Sequence, residues 1–462
     1  TSFDWAFKTE PQPSLNGRSQ TLHLGKVLGG SSSINAMLYL RGHQRDYDRW
    51  QQEGAHGWSF IEVLPHFRRA ENQQRGESPF HGVGGPLDVS DLRHANPLSH
   101  AFVAAGNELG YPRNGDFNGA QQAGFGLVQV MQQDGSRLSS AAAYLFEADK
   151  RPNLTILPHA TVTRILFRNS EAVGVAYVEN GRIHQATARK EVILCAGAIN
   201  SPKLLMLSGI GPTAHLARFN INTVVDSPGV GQNYQDHPII YVASEIEQPI
   251  SSREWETEQN IAIFQSRRQG PLTSPIIEAA AFVQTASSPD LPNIMFYFVP
   301  LLAGKEERHG FTLGAVLLRP ESRGQLSLIS PDPFASPKIQ PNHLTAQADV
   351  QVLIEGMEMG LKLLDTEAFA QFSPTQVARR EPLSTPIEQA NYVRQLAGTL
   401  HIPAGTCRLG DEETAVVNEH LQVYDIHGLR VADASIMPSI IGGDTIAPTI
   451  MIAEKAAKLI LS

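Results

Sequence analysis

Apolar positions along the chain follow several distinct rhythms. Short aliphatic and β-branched runs at 154–157, 161–167, 172–178 and 191–195 predict strands. Within 236–345, Ile294–Val299 and Thr312–Leu318 read as further strands between turn residues, whereas 345–372 carries apolar positions at helical spacing. After 429 the order is strand, turn, helix. Residues 71–136 show little periodicity and scattered Gly, Pro, Asn and Gln, which predicts loops draped over a core. Two α/β portions flanking a β-rich middle predict an α/β protein, α+β overall, in which one discontinuous nucleotide domain carries an inserted substrate domain. On this reading the nucleotide domain takes 1–60, 151–235 and 396–462, a loop-rich cover takes 61–150, and the substrate domain takes 236–395.

Composition narrows the function classes. The chain has 462 residues, 42% hydrophobic and 18% charged, as in an ordinary globular enzyme. A formal net charge of -9 supplies no basic field for nucleic acid or anionic lipid, so a small molecule is the expected partner. Cys195 and Cys407 cannot build a disulfide framework and stand in no metal-ligand spacing. They read as reduced thiols, which points to a cytoplasmic setting and no metal. No apolar run reaches the roughly 20 residues of a membrane span. The start, Thr1 to Trp5, has neither a signal-peptide flank nor an initiating Met, and reads as an internal position.

Three segments carry candidate chemistry. Gly25–Met37 contains Gly29, Gly30, Ser31, Asn35 and Ala36; paired glycines let backbone approach a planar or phosphorylated ligand, but the same tract suits a surface loop. In 191–211 an apolar strand ends at Ala196-Gly197, after which Ser201 reads as the cap of a helix beginning at Pro202. Such a turn leaves backbone N–H groups for a pyrophosphate, or is ordinary α/β punctuation. Gly209–Ala214 matches a dinucleotide fingerprint only superficially, since it follows a helical run and contains Pro212. In the third segment a strand delivers Asp433-Ala434 to a turn, and a helix begins near Thr445 with Pro448 in its first turn.

Together and in this order the segments resemble the glucose–methanol–choline (GMC) oxidoreductases, in particular the choline-dehydrogenase-like and alcohol-dehydrogenase-like bacterial branch. Further matches are Asp4-Trp5, Glu10-Pro11, Gly17-Arg18, Asp116, Asn118-Gly119, Arg137, Ser139-Ser140, Gly229-Val230-Gly231, Asp236-His237-Pro238, Pro403 to Arg408 and Asp433-Ala434-Ser435. The resemblance covers nearly the whole chain. It implies a Rossmann-like FAD-binding domain, a substrate domain on an antiparallel sheet, and oxidation of an alcohol by hydride transfer to the flavin. It also implies that Gly29, Gly30, Ser31, Asn35 and Ala36 lie along the flavin, Val162 near adenine, Ala196, Gly197, Asp433 and Ala434 near the pyrophosphate and ribityl chain, and Thr445 and Pro448 by the ring.

The chain departs from the family pattern in three places. The catalytic His expected before the Pro-Ala-Gly-Thr run is Ile402, and the partner expected before the Ala-Pro-Thr helix start is Ile446. His401 stands one step earlier; on an extended backbone neighbours point to opposite sides, so it reads first as structural and is the remaining candidate base. The family's opening strand, Gly-rich turn and helix would precede Thr1, which predicts either a separate N-terminal fragment completing the FAD site or a surrendered cofactor. Two functions follow: an FAD-dependent oxidoreductase acting on a rather apolar alcohol, or a scaffold that has lost alcohol oxidation and serves as a lyase, a cyclase-like enzyme or a binding protein.

Overall fold

The computed structural model describes residues 3–288, 290–302, 308–377, 385–411 and 413–461. Its N-terminal part packs two helices, α1 (Gln44–Gln52) and α2 (Phe60–Ala70), each closed by a capping box, at His43/Asp46 and Ser59/Glu62. Segment 71–136, expected to be loops, instead contains helix α3 (Pro97–Glu108) and several strands, among them β1 (Gly124–Leu127). Its periodicity is hidden because α3 is buried over much of its circumference and the strands are only a few residues long.

Next comes an antiparallel meander, β2 (Thr161–Arg168), β3 (Glu171–Glu179) and β4 (Arg182–Thr187), followed by β5 (Val192–Leu194) and helix α4 (Gly197–Leu207). Residues 154–157, predicted as a strand, form none. Helix α4 starts at Gly197, so Ser201 and Pro202 lie inside it rather than at its cap. Pro202 lacks the N–H that would satisfy the Ala198 carbonyl, and the Thr406 hydroxyl donates to that carbonyl instead, at 2.6 Å.

The middle of the chain supplies β6 (Pro238–Glu245), β7 (Ala279–Val283), β8 (Ile294–Val299) and β9 (Gly310–Leu317). With Thr375–Gln376 outside β6 and β1 beyond β7, they form an antiparallel sheet in the order 375–376, β6, β9, β8, β7, β1. Gly398–Thr399 also pairs with β6. Strand β8 is apolar throughout because both faces are covered: Ile294, Phe296 and Phe298 meet helices α3 and α5 (Gln347–Leu364), while Met295 and Tyr297 face residues 36–40 and 128–130. The chain closes with β10 (Leu429–Val431), parallel to β5, and helix α6 (Ile446–Leu461), which packs on α2 within the largest core. No helix among the described residues is long and apolar enough to cross a membrane.

Candidate functional site

The first segment folds into a single 3-10 turn, Gly30–Ser33, entered by Gly29 at φ +86° and Gly30 at φ +54°. Its polar side chains mostly hold the turn itself. Ser31 Oγ accepts from Gly25 N–H (3.1 Å), and Ser32 Oγ donates to the Gly29 carbonyl (2.6 Å). Asn35 Oδ1 accepts from Met37 N–H (3.0 Å) and Arg137 Nη1 (2.9 Å). Ala36 and Met37 then pack beside Ile239 and Tyr297 of the large sheet.

A second group gathers at the start of α4. Asp433, 4% exposed, accepts from Gly197 N–H (2.9 Å), the Ser201 hydroxyl (2.6 Å) and Ser435 N–H (2.8 Å). A carboxylate at a helix N-terminus is favourably placed, and here it occupies an N–H expected to be free for a phosphate. Ala196 N–H is taken by Ser201 Oγ (3.1 Å), and the Ala434 carbonyl accepts from Gly405 N–H (3.1 Å), tying this group to the 402–406 run. Val162, in β2, is 39% exposed.

The third group surrounds the entry to α6. Asp46 accepts from Gly442 N–H (2.8 Å) and from Arg319 Nη2 (2.7 Å), so the start of α1 holds the 441–444 turn. The two ring nitrogens of His237 lie 2.7 Å from the Leu317 carbonyl and 3.1 Å from the Ile441 carbonyl; burial pushes its pKa down to about 4, outweighing those carbonyls, which favour the charged ring, and the neutral ring donates its one N–H to one of the two. Ile402 N–H donates to Asp236 Oδ1 (3.2 Å), whose carboxyl burial raises to about 6 against four hydrogen bonds. Thr445 and Pro448 are buried, and the Thr445 carbonyl accepts from the Thr449 N–H (3.0 Å) and hydroxyl (2.7 Å).

His401 does not sit on extended backbone: its φ is +60°, so alternation of side chains does not govern its direction. Its ring meets His23 edge-on at 5.0 Å, and His23 Nδ1 lies 2.7 Å from Asp4 Oδ2. His401 Nδ1 is buried without a partner, and desolvation lowers the pKa of the ring. The histidine thus belongs to a cluster with the hairpin around residues 4–24.

Sequence reasoning passed over three residues at the third group. Asp444 follows the glycine pair and has its carboxyl raised to about 6 by burial, although part of its surface stays open. Tyr297 is 4% exposed with an unpartnered hydroxyl, and Gln122 bonds the Gly442 carbonyl (2.7 Å) while its Oε1 is unpartnered. The acid between Gly443 and the helix start was visible in the sequence. Tyr297 and Gln122 carry no such signal, because their surroundings come from the fold: Tyr297 sits in mid-strand of the large sheet and Gln122 in the loop before β1.

An FAD can be tested against these residues. Gly30 and Gly197 both have positive φ, and a Cβ built on either meets no atom within 4 Å, so the backbone there borders open space. Leu28, Val162 and Ile193 expose 43%, 39% and 40% of their surfaces in the segments expected along the cofactor. Open glycine backbone flanked by exposed aliphatic groups fits a large, partly planar ligand.

Comparison with known proteins agrees in sequence and in shape. Residues 9–239 and 320–453 match the N-terminal and C-terminal GMC oxidoreductase profiles. An alcohol dehydrogenase [acceptor] of Pseudomonas putida is 41% identical, covering 99% of this chain and 85% of that protein. An oxygen-dependent choline dehydrogenase of Brucella ovis is 40% identical, covering 100% and 86%. Among solved structures, pyridoxine 4-oxidase from Mesorbium loti superposes with a TM-score of 0.90 at 28% identity, over 99% of this chain and 88% of its own. A formate oxidase of Aspergillus oryzae, studied for modification of its FAD, superposes with a TM-score of 0.92 at 28% identity, over 100% and 88%. The chain belongs to the GMC oxidoreductase family.

Proposed function

We propose that this chain is an FAD-dependent oxidoreductase that converts the CH–OH group of a rather apolar alcohol to a carbonyl. The observation that carries the reading is the open glycine backbone at Gly30 and Gly197 beside exposed Leu28, Val162 and Ile193, in a member of a family whose relatives include a named alcohol dehydrogenase and choline dehydrogenases. Gly29, Gly30, Ser31, Asn35 and Ala36 would run along the ring system, with Thr445 and Pro448 on its far side. Val162 would meet the adenine, and Ala196, Gly197, Asp433 and Ala434 the linking chain. Bound flavin supplies a two-electron acceptor for hydride.

The apolar preference follows from Ile402 and Ile446. Neither side chain can hydrogen-bond a hydroxyl, but each offers burial at about 25 cal/mol per Å². Residues 236–395 would form most of the substrate-facing part. In the test, the protein carrying the family's opening strand–turn–helix unit is purified and its visible spectrum and extracted cofactor are measured, followed by anaerobic titration with primary alcohols of increasing chain length. Flavin should be bound, and alcohols should bind more tightly with each methylene. A colourless protein that ignores added FAD, or tighter binding of polyols than of alkyl alcohols, would overturn the reading in favour of a scaffold that has lost alcohol oxidation.

A further inference from the structure

A cavity of about 540 Å³ opens between α4, the short helix Thr213–Ala217 and the hairpin that pairs Gln325–Ser327 with Lys338–Gln340. That volume lies within the range of small-molecule sites, about 300–1,000 Å³. Met206, Val230, Leu326 and Leu328 line it, all buried, with Phe219 beside them, so its floor is apolar. Met206 stands at the C-terminal end of α4, by helical rise about 13 Å along the axis from Gly197. Among the described residues, none of those proposed along the cofactor lines the cavity.

The walls are tied to one another. Leu326 N–H donates to the Gly231 carbonyl (2.6 Å), and a Cβ at Gly231, whose φ is +81°, would stand 2.3 Å from the Leu326 carbonyl oxygen. Leu328 N–H donates to His215 Nε2 (3.0 Å), and the His215 ring meets Phe219 edge-on at 5.2 Å. An accepting Nε2 leaves the proton of the neutral ring on Nδ1, so His215, which also lines the cavity, keeps one N–H to donate. Two cations line it as well, Arg218 and Lys338, and neither makes an ion pair or a side-chain hydrogen bond among the described residues. No Asp or Glu lines the cavity among the described residues, in a chain with 46 acidic and 37 basic residues. Two like charges at one cavity repel, and a bound anion turns that repulsion into attraction. Walls fixed in advance lower the ordering cost of binding.

We propose that this cavity is a second ligand site, which binds an organic carboxylate with an apolar body: Arg218 and Lys338 hold the carboxylate, and Met206, Phe219, Val230 and Leu326 cover the body. The planar guanidinium of Arg218 can meet both carboxylate oxygens, and the Lys338 ammonium adds a point charge. The apolar floor selects for the body, since inorganic anions bury nothing there. Because the site is separate from the residues proposed along the cofactor, its occupancy does not depend on the alcohol chemistry.

The test uses octanoate carrying a photoreactive diazirine in its chain, added to the flavin-loaded protein at neutral pH and illuminated, with the labelled peptides mapped by mass spectrometry. Label should fall on the peptides that contain Met206 to Phe219 and Gln325 to Gln340. Displacement of label from those peptides reads the cavity alone, whatever binds over the flavin. Unlabelled octanoate should displace it at concentrations at least about tenfold below octanamide, which lacks the charge, and below inorganic phosphate, which lacks the body. Arg218→Gln with Lys338→Gln should weaken octanoate about tenfold or more while leaving octanamide and the melting temperature unchanged, since neither side chain has a partner to lose. Label confined to other segments, such as those around Ile402 and Ile446, overturns the proposal without need of a variant. So does octanamide or inorganic phosphate that competes as well as octanoate, or an octanoate affinity that the double substitution does not move.

Discussion

Ile402 keeps its backbone role while its side chain forgoes any chemistry: its N–H bonds Asp236, yet its side chain can hold no proton. Restoring the polar pair that the family pattern places at these two positions should therefore raise the chemistry. Ile402→His with Ile446→Asn should increase alcohol-dependent flavin reduction at least about tenfold, a fraction of the 10²–10⁴ that a positioned base supplies. Each change alone should do less, because both act on one hydroxyl. Stopped-flow reduction reads this directly; no increase in the double variant would mean that those two side chains do not reach the substrate. His401 was readable as a candidate and its neighbours were not, since its contact with His23 bridges 378 positions of sequence, 401 less 23.

At the scale of elements, the join between α3 and β1 shows why some helices escape a reading of periodicity. Gly106 lies inside α3, where Gly costs about 1 kcal/mol relative to Ala. A Cβ there would stand 2.3 Å from the Phe125 ring of β1, however, and Phe125 is itself wedged against Phe102 and Tyr111. Overpacking costs about 1–3 kcal/mol and should exceed the gain in propensity. Gly106→Ala should therefore lower the melting temperature; a rise would show that α3 can move away from the sheet. The glycine reads locally as a weak point in a helix, and only the contact explains it. Strand Ile294–Val299, in contrast, was legible to the residue, because covering both of its faces demands an unbroken apolar run.

For the whole molecule, burial of ionisable groups sets the response to pH. His66, His237 and His343 are held neutral, with pKa values pushed by burial from 6.5 to about 4, 4 and 3. Their contribution is complete above 6.5 and lost as pH falls through the folded values. Asp236 and Asp444, raised from 3.8 to about 6, act oppositely: their contribution is complete below 3.8 and lost as pH rises through 6. Three larger shifts outweigh two smaller ones, so the melting temperature should fall on acidification from 6.5 to 4. His343→Gln should flatten that fall. A melting temperature that rises over this window would mean the buried histidines are solvated. His81, clamped between Glu71 and Asp116, has a raised pKa despite burial, and its contribution is lost as pH climbs through the folded value.

The sequence by itself determined the family, the α/β class and the order of the glycine-rich and strand–turn–helix segments, because glycines at positive φ and strand–turn–helix punctuation are local demands that local residues answer. It also exposed the two isoleucines where polar groups were expected. It did not determine where α4 begins, since Pro202 is tolerated only through a hydroxyl at Thr406, more than two hundred residues away. Nor could it bring Gln122 to the Gly442 carbonyl, a contact across 320 positions of sequence that depends on how the chain packs around the 441–444 turn. Burial, which holds the His237 ring neutral and raises the Asp236 carboxyl, belongs to the tertiary structure alone.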